Sequence, residues 1–171
     1  MEFANPKKIL NDNLQLNRRM VAADFGCGSG EWAMALSSIL EDGKVYAIDL
    51  LEEPLSALRG KLKNKNIQNV EIVKADVEKT ISRLLANSLD LVLMTNLLFQ
   101  VKDKKEIFSE AYRVLKSGGK ILIIDWLESA KIGPAEKISD KVIKNLAKSL
   151  GFKIINEFNA GNFHFGLILE K

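Results

Sequence analysis

Val21-Ala22-Ala23-Asp24-Phe25-Gly26-Cys27-Gly28-Ser29-Gly30 is an apolar run that ends in an acid and then in three glycines at alternate positions. It reads as a strand feeding a tight turn, because glycine lets the backbone take positive φ and lets a ligand approach where a Cβ would collide. A helix is expected from about Glu31, and its N-terminal N–H groups and positive dipole end would face that ligand. The dinucleotide fingerprint asks for a small residue three positions after the second glycine, so that helix and strand pack closely. Glu31 stands there, which sets this turn apart from the nicotinamide-binding pattern.

Outward from the turn, strand and helix alternate. Asn5-Pro6 offers an N-cap and a proline at the first helical position, so a small helix is expected before the first strand at about 20–25. Lys44 to Asp49 reads as a second strand, apolar enough to be covered on both faces. Leu51, Leu55, Leu58 and Leu62 then mark a helix. Asn69 to Asp76 is a third strand, and a short helix is expected from Val77 to Ala86. Ser88 to Met94 is a fourth strand. Asp103 with Glu106 forms a capping box for a helix that carries Ile107, Phe108, Ala111, Val114 and Leu115 and is expected to end at Gly118-Gly119. Lys120 to Trp126 is a fifth strand, and Pro134 to Leu150 reads as one more amphipathic helix. The tail changes rhythm: Phe152 to Phe158 and Phe163 to Leu169 are both strand-like and separated by a turn, which predicts an antiparallel hairpin. Repeated strand and helix units imply right-handed crossovers and a mostly parallel sheet with helices on both faces.

Asp24 followed by Gly26-x-Gly28-x-Gly30 resembles the first motif of the class I methyltransferases that use S-adenosylmethionine, and the closing hairpin sharpens the resemblance. The family implies a doubly wound, Rossmann-like α/β fold with a seven-stranded sheet in the order 3-2-1-4-5-7-6, the seventh strand antiparallel. The resemblance covers the chain from about residue 20 to the end. It implies S-adenosyl-L-methionine as cofactor and S-adenosyl-L-homocysteine as product. Carried over by motif, Asp24 orients the methionine moiety, Gly26, Cys27, Gly28 and Gly30 form the turn beneath it, and Asp49 accepts hydrogen bonds from the ribose hydroxyls. Leu50 belongs to the same cofactor-binding group. Asp76 with Val77 contacts the adenine, and Asn96 lines the methyl-donor end. Asn96 and Trp126 are the expected acceptor-pocket residues. Met94-Thr95-Asn96-Leu97-Leu98 departs from the Asn/Asp-Pro-Pro-Tyr pattern of DNA adenine and glutamine methyltransferases. Arg113-Val114-Leu115-Lys116-Ser117-Gly118-Gly119 resembles the Arg-Val-Leu-Lys-Pro-Gly-Gly segment of small-molecule methyltransferases and is read as a structural turn.

Each aspartate has a plainer reading as a cap or a solvated loop acid, but three at strand ends together favour a site. Cys27 between two glycines reads as a small filler of the turn, with no base beside it. Trp126 can be core or pocket wall. Asp125 and His164 are the residues that could act as a base, and neither is assigned, because an activated methyl group needs positioning more than proton transfer.

At 171 residues, 47% hydrophobic and 27% charged, the chain fits a single domain over 1–171, with residues 1–18 as an N-terminal lid or cap. No apolar run approaches a bilayer span, and a cytoplasmic protein is expected. One Cys and one His cannot build a usual zinc site, so no metal is expected. A net charge of +3 without a concentrated basic block makes nucleic acid a poor partner. The expected partner is a small-molecule methyl acceptor. An RNA- or protein-modifying methyltransferase and a catalytically silent partner subunit stay open as alternatives, and so does the oligomeric state.

Overall fold

The computed structural model describes residues 4–171. One seven-stranded sheet runs through it in the order β3-β2-β1-β4-β5-β7-β6. The strands are β1 (Val21–Phe25), β2 (Lys44–Asp49), β3 (Val70–Lys74), β4 (Leu89–Thr95), β5 (Leu115–Trp126), β6 (Lys153–Ala160) and β7 (His164–Glu170). β7 is antiparallel to both β5 and β6, and the other pairs are parallel. The fold expected from the glycine turn and the closing hairpin is the fold observed.

Five helices cover the sheet: α1 (Pro6–Asn13), α2 (Glu31–Ser37), α3 (Glu52–Asn64), α4 (Lys104–Val114) and α5 (Asp140–Ser149). Asn5 caps α1 by accepting from the Lys8 amide, with Pro6 opening the helix, as the sequence predicts. The two faces of the sheet carry separate apolar layers. One holds Phe25, Val92, Met94, Phe108 and Ile123. The other holds Ala22, Leu36, Leu58, Leu93 and Ile124, with Ile9 and Leu10 of α1. Strands buried on both sides need near-continuous apolar sequence, which β1, β4 and β5 supply.

Three expectations about helices fail, the first two for a tertiary reason. No helix forms over Val77 to Ala86. The donors and acceptors a helix would use are taken from outside: the Ile81 amide donates to Glu110 Oε1 at 2.8 Å, and Arg113 Nη2 donates to the carbonyls of Ile81 and Leu84. Helix α4 ends at Val114 rather than at Gly118-Gly119, because Leu115 is already extended and pairs with Leu89. The two glycines instead form the irregular start of β5, where Gly118 takes φ +75° and donates to the Lys171 carbonyl. The last helix begins at Asp140, not Pro134, with Ser139 before it still extended at φ −67° and ψ 132°.

The segment Arg113 to Gly119 is therefore more than a turn. Glu110 is 5% exposed and pairs with Arg113 at 2.6 Å while also holding the Ile81 amide. Removing one partner of a buried pair strands the other. Arg113→Ala is expected to lose about 2–3 kcal/mol of stability, below the full buried-pair range because Arg113 is partly exposed. Urea denaturation measures it, and a loss under about 0.5 kcal/mol, the range of ordinary surface substitutions, would show that the clamp does not hold the segment.

Candidate functional site

In an open parallel sheet, ligands bind beyond the carboxyl ends of the strands, where the strand order reverses. Here β1 is flanked by β2 on one side and β4 on the other, so the reversal lies at the glycine turn. A cleft of about 480 Å³ opens there, lined by Gly26 and Gly28 after β1, Asp49 to Leu51 after β2, Ala75 to Glu78 after β3, and Thr95 to Leu97 after β4. A roomier groove of about 770 Å³ lies between α2 and the α3–β3 turn, away from the strand ends.

The glycines have separate jobs. Gly28, at φ +52°, has open space where a Cβ would stand, so its backbone is available to a ligand. At Gly30, φ +83°, a Cβ would come within 2.2 Å of Leu58 Cδ1, so this glycine serves the packing of α3 against the turn. Lys61 of α3 also fastens the turn by donating to the Ser29 carbonyl at 2.9 Å and to its hydroxyl at 3.0 Å.

Asp49 ties the cleft together. Its Oδ2 accepts from the Gly28 amide and its Oδ1 from the Leu51 amide, both at 2.9 Å. Each carboxylate oxygen has a second lone pair to offer. Leu50 and Leu51 beside it are 57% and 63% exposed, an apolar rim at the mouth of the cleft. Asp76 Oδ1 accepts from the Glu78 amide at 2.9 Å, and Val77 lies against the wall.

Asn96 takes φ +50°, a left-handed conformation that is uncommon outside glycine and marks local strain. Two bonds hold it: its amide donates to the Ile124 carbonyl at 2.8 Å, and the Leu98 amide donates to Asp125 Oδ2 at 2.9 Å. Asp125 is fully buried and accepts from the Leu98 and Trp126 amides, so it sets the turn that carries Asn96. Burial raises its pKa, and those backbone donors offset part of the rise.

Asp24 is also fully buried, and neither carboxylate oxygen completes a hydrogen bond among the described residues. Burial pushes its pKa up to about 8, partly opposed by the Ala33 amide and aided by the charge of Asp49. Cys27 beside it is buried, and burial together with the charges of Asp24 and Asp49 pushes its thiol well up, so it remains protonated. A filler role fits that chemistry.

Of the residues expected to bind, Gly26, Gly28, Asp49, Leu50, Asp76, Val77 and Asn96 line the one cleft. Asp24, Cys27 and Gly30 lie in or under the turn and are not on its wall, and Trp126 stands apart at the end of β5. Sequence reasoning passed over Glu78, whose carboxylate accepts from the amides of Lys102 and Asp103 at 3.0 Å and so fixes the wall at Gln100 and Val101. It occupies the amide that a complete capping box would have given to Glu106. An acid two residues after Asp76 was the available signal.

The residues present fit a nucleoside that carries positive charge. Open backbone at Gly28 and free lone pairs on Asp49 suit a ribose, the leucine rim suits a base, and a buried carboxyl with unmade hydrogen bonds suits a nearby cation.

Comparison with known proteins agrees in kind. The chain is 30% identical over 113 residues to the demethylmenaquinone methyltransferase of Bacillus mycoides (strain KBAB4), a match covering 66% of this chain and 47% of that protein. It is 29% identical over 153 residues to the ubiquinone/menaquinone biosynthesis C-methyltransferase of Escherichia coli O1:K1 / APEC, covering 88% and 60%. The chain thus spans about half the length of the curated relatives it matches. The crystal structure of a SAM dependent methyltransferase from Aquifex aeolicus superposes with a TM-score of 0.89 at 29% identity, over 98% of this chain and 89% of that one. The model of the methyltransferase domain matches residues 23–123, from the first strand through the glycine turn to the fifth, and the chain belongs to that family.

Proposed function

We propose that this protein is an S-adenosylmethionine-dependent methyltransferase acting on a small-molecule acceptor. The observation that carries the reading is Asp49 at the reversal point of the sheet, holding Gly28 open beside it with a lone pair to spare on each oxygen. Asp49 would take the ribose hydroxyls, Leu50, Asp76 and Val77 the adenine, and Asp24, the Gly26–Gly30 turn and Asn96 the methionine end. When bound, the cofactor supplies a methyl group already activated by its positive sulfur. The chain's own part is to fix the donor, exclude water and hold the acceptor in line.

The curated relatives named above act, by their names, in quinone biosynthesis, which supports a small organic acceptor over a macromolecule. Residues 1–18 remain our candidate for a cap over the acceptor side, acting in the cytoplasm with the rest of the chain. Within them α1 buries Ile9 and Leu10 in the core; residues 1–3 lie outside the described residues.

Turnover of methyl-labelled S-adenosylmethionine across a panel of small hydroxyarenes, amines and thiols, with structured RNA alongside, tests the reading. Label is expected in a small molecule and not in RNA. Transfer to RNA alone would replace the acceptor class, and cofactor binding without transfer to any acceptor would favour the silent partner subunit.

A further inference from the structure

Residues 96–103 form a strap between the end of β4 and the start of α4, and the cleft wall at Asn96, Leu97, Gln100 and Val101 belongs to it. Its first residue is strained: Asn96 holds φ +50°, and such a conformation persists outside glycine only where the surroundings over-determine it. Several bonds within the strap are local. The Gln100 amide donates to the Leu97 carbonyl and Gln100 Nε2 to the Asn96 carbonyl, both at 3.1 Å. Bonds of that kind curl the strap without fastening it to the cleft.

Groups from elsewhere in the chain fasten it at both ends. At the β4 end the Ile124 carbonyl takes the Asn96 amide and Asp125 Oδ2 takes the Leu98 amide. At the α4 end Glu78, from the loop after β3, takes the Lys102 amide on one oxygen and the Asp103 amide on the other, both at 3.0 Å and 24 and 25 positions along the chain. A carboxylate shared between two adjacent amides fixes both the position and the direction of the strap where it enters the helix.

Glu78 is in turn set by the cleft. Its own amide donates to Asp76 Oδ1 at 2.9 Å, and Asp76 Oδ2 lies 3.4 Å from Lys79 Nζ. In the proposed site Asp76 faces the base, and the same carboxylate turns the chain so that Glu78 reaches the strap. Two side chains therefore lead from the end of β3 to the wall that follows β4.

Resting on the methyltransferase reading, we infer that Glu78 is a positioning residue that couples the adenine end of the cleft to the strap holding Asn96 at the methyl-donor end. Its carboxylate acts through the strap. When a base engages Asp76, the turn at Glu78 stiffens, Lys102 and Asp103 are held, and Asn96 keeps its strained conformation. With Asp76 unengaged, the strap opens more readily at its α4 end, and the strain at Asn96 favours that opening. The coupling runs both ways, so a held strap also favours the cofactor. The wall beside Asn96 is then complete only once the cofactor is seated.

Amide hydrogen exchange followed by NMR tests this, after calorimetry has measured S-adenosylhomocysteine binding to each protein. In the unmodified protein, saturating S-adenosylhomocysteine is expected to slow exchange at Leu98, Gln100, Lys102 and Asp103. Glu78→Ala, without ligand, is expected to speed exchange at Lys102 and Asp103 about tenfold, the loss of one hydrogen bond each. With S-adenosylhomocysteine bound, that variant is expected to lose the slowing at Leu98 and Gln100 while the amides of Val92 and Leu93 in β4 keep their protection. Glu78→Gln retains one acceptor oxygen and is expected to fall between; it also carries the comparison if Glu78→Ala does not fold. If S-adenosylhomocysteine does not bind the unmodified protein, the methyltransferase reading itself fails. If it binds without slowing the strap, or slows it in the variants as much as in the unmodified protein, only the role of Glu78 is overturned.

Discussion

Asp49→Ala is expected to weaken S-adenosylhomocysteine binding by about 2–4 kcal/mol, roughly 30- to 1,000-fold, while the protein stays folded. Two losses combine. Hydrogen bonds to a charged acceptor contribute about 1.5–3 kcal/mol each, and in the proposed site Asp49 would accept one from each ribose hydroxyl. The same carboxylate holds the Gly28 and Leu51 amides, so its removal also frees the glycine turn from the start of α3 before any ligand arrives. Asp49→Asn keeps one acceptor and should fall between, since its amide nitrogen would meet one of those two backbone N–H groups donor to donor. Calorimetry on both variants measures the effect. An Asp49→Ala protein with unchanged affinity would place the ribose elsewhere.

The second large effect is in Asp24 and appears as pH dependence. Its folded pKa of about 8 lies far above the ordinary 3.8, so between those values the folded protein holds a proton that the unfolded chain has released. Stability from this group is therefore fully present below about pH 4 and declines by up to about 1.4 kcal/mol per pH unit until it is gone above about pH 8. Asp24→Asn should remove that slope, which denaturation curves at pH 5, 6, 7 and 8 would show. Cofactor binding should run the other way. A cationic ligand near Asp24 favours its carboxylate, so binding S-adenosylmethionine at pH 7 is expected to release close to one proton. S-adenosylhomocysteine, without the sulfonium charge, should release less, and Asp24→Asn none. Calorimetry in buffers of different ionisation enthalpy counts those protons. A count of zero for the unmodified protein would mean that Asp24 does not sense the cofactor.

Local chemistry made much of this protein legible before its structure. The glycine turn, the acids near the ends of β1 and β2 and the hairpin at the end are each set by a few adjacent residues, and through the family resemblance they carry came the sheet order and most of one cleft. Where reading failed, distant partners decided. The stretch after Asp76 has helix-compatible sequence, yet Glu110 and Arg113, some thirty positions on, take its amide and carbonyls. Leu115 looks like the last apolar residue of a helix and is instead the first of a strand, because Leu89 pairs with it. Trp126, expected with Asn96 at the acceptor pocket, is not among the residues lining the cleft; its ring packs against His164 and the backbone at Gly133. Asp125, considered as a base, is committed to the turn that carries Asn96. Both ring nitrogens of the buried His164 lack a hydrogen-bond partner among the described residues, and this had no sequence signal at all, since an unmade hydrogen bond is a property of the packed structure.

Calorimetric titration of the unmodified protein with S-adenosylhomocysteine and, separately, with NAD bears most directly on the central claim. The account predicts one saturable site for S-adenosylhomocysteine, weakened by Asp49→Ala, and no binding of NAD, because Glu31 stands where the dinucleotide turn requires a small residue. Tight NAD binding with no response to S-adenosylhomocysteine would contradict it.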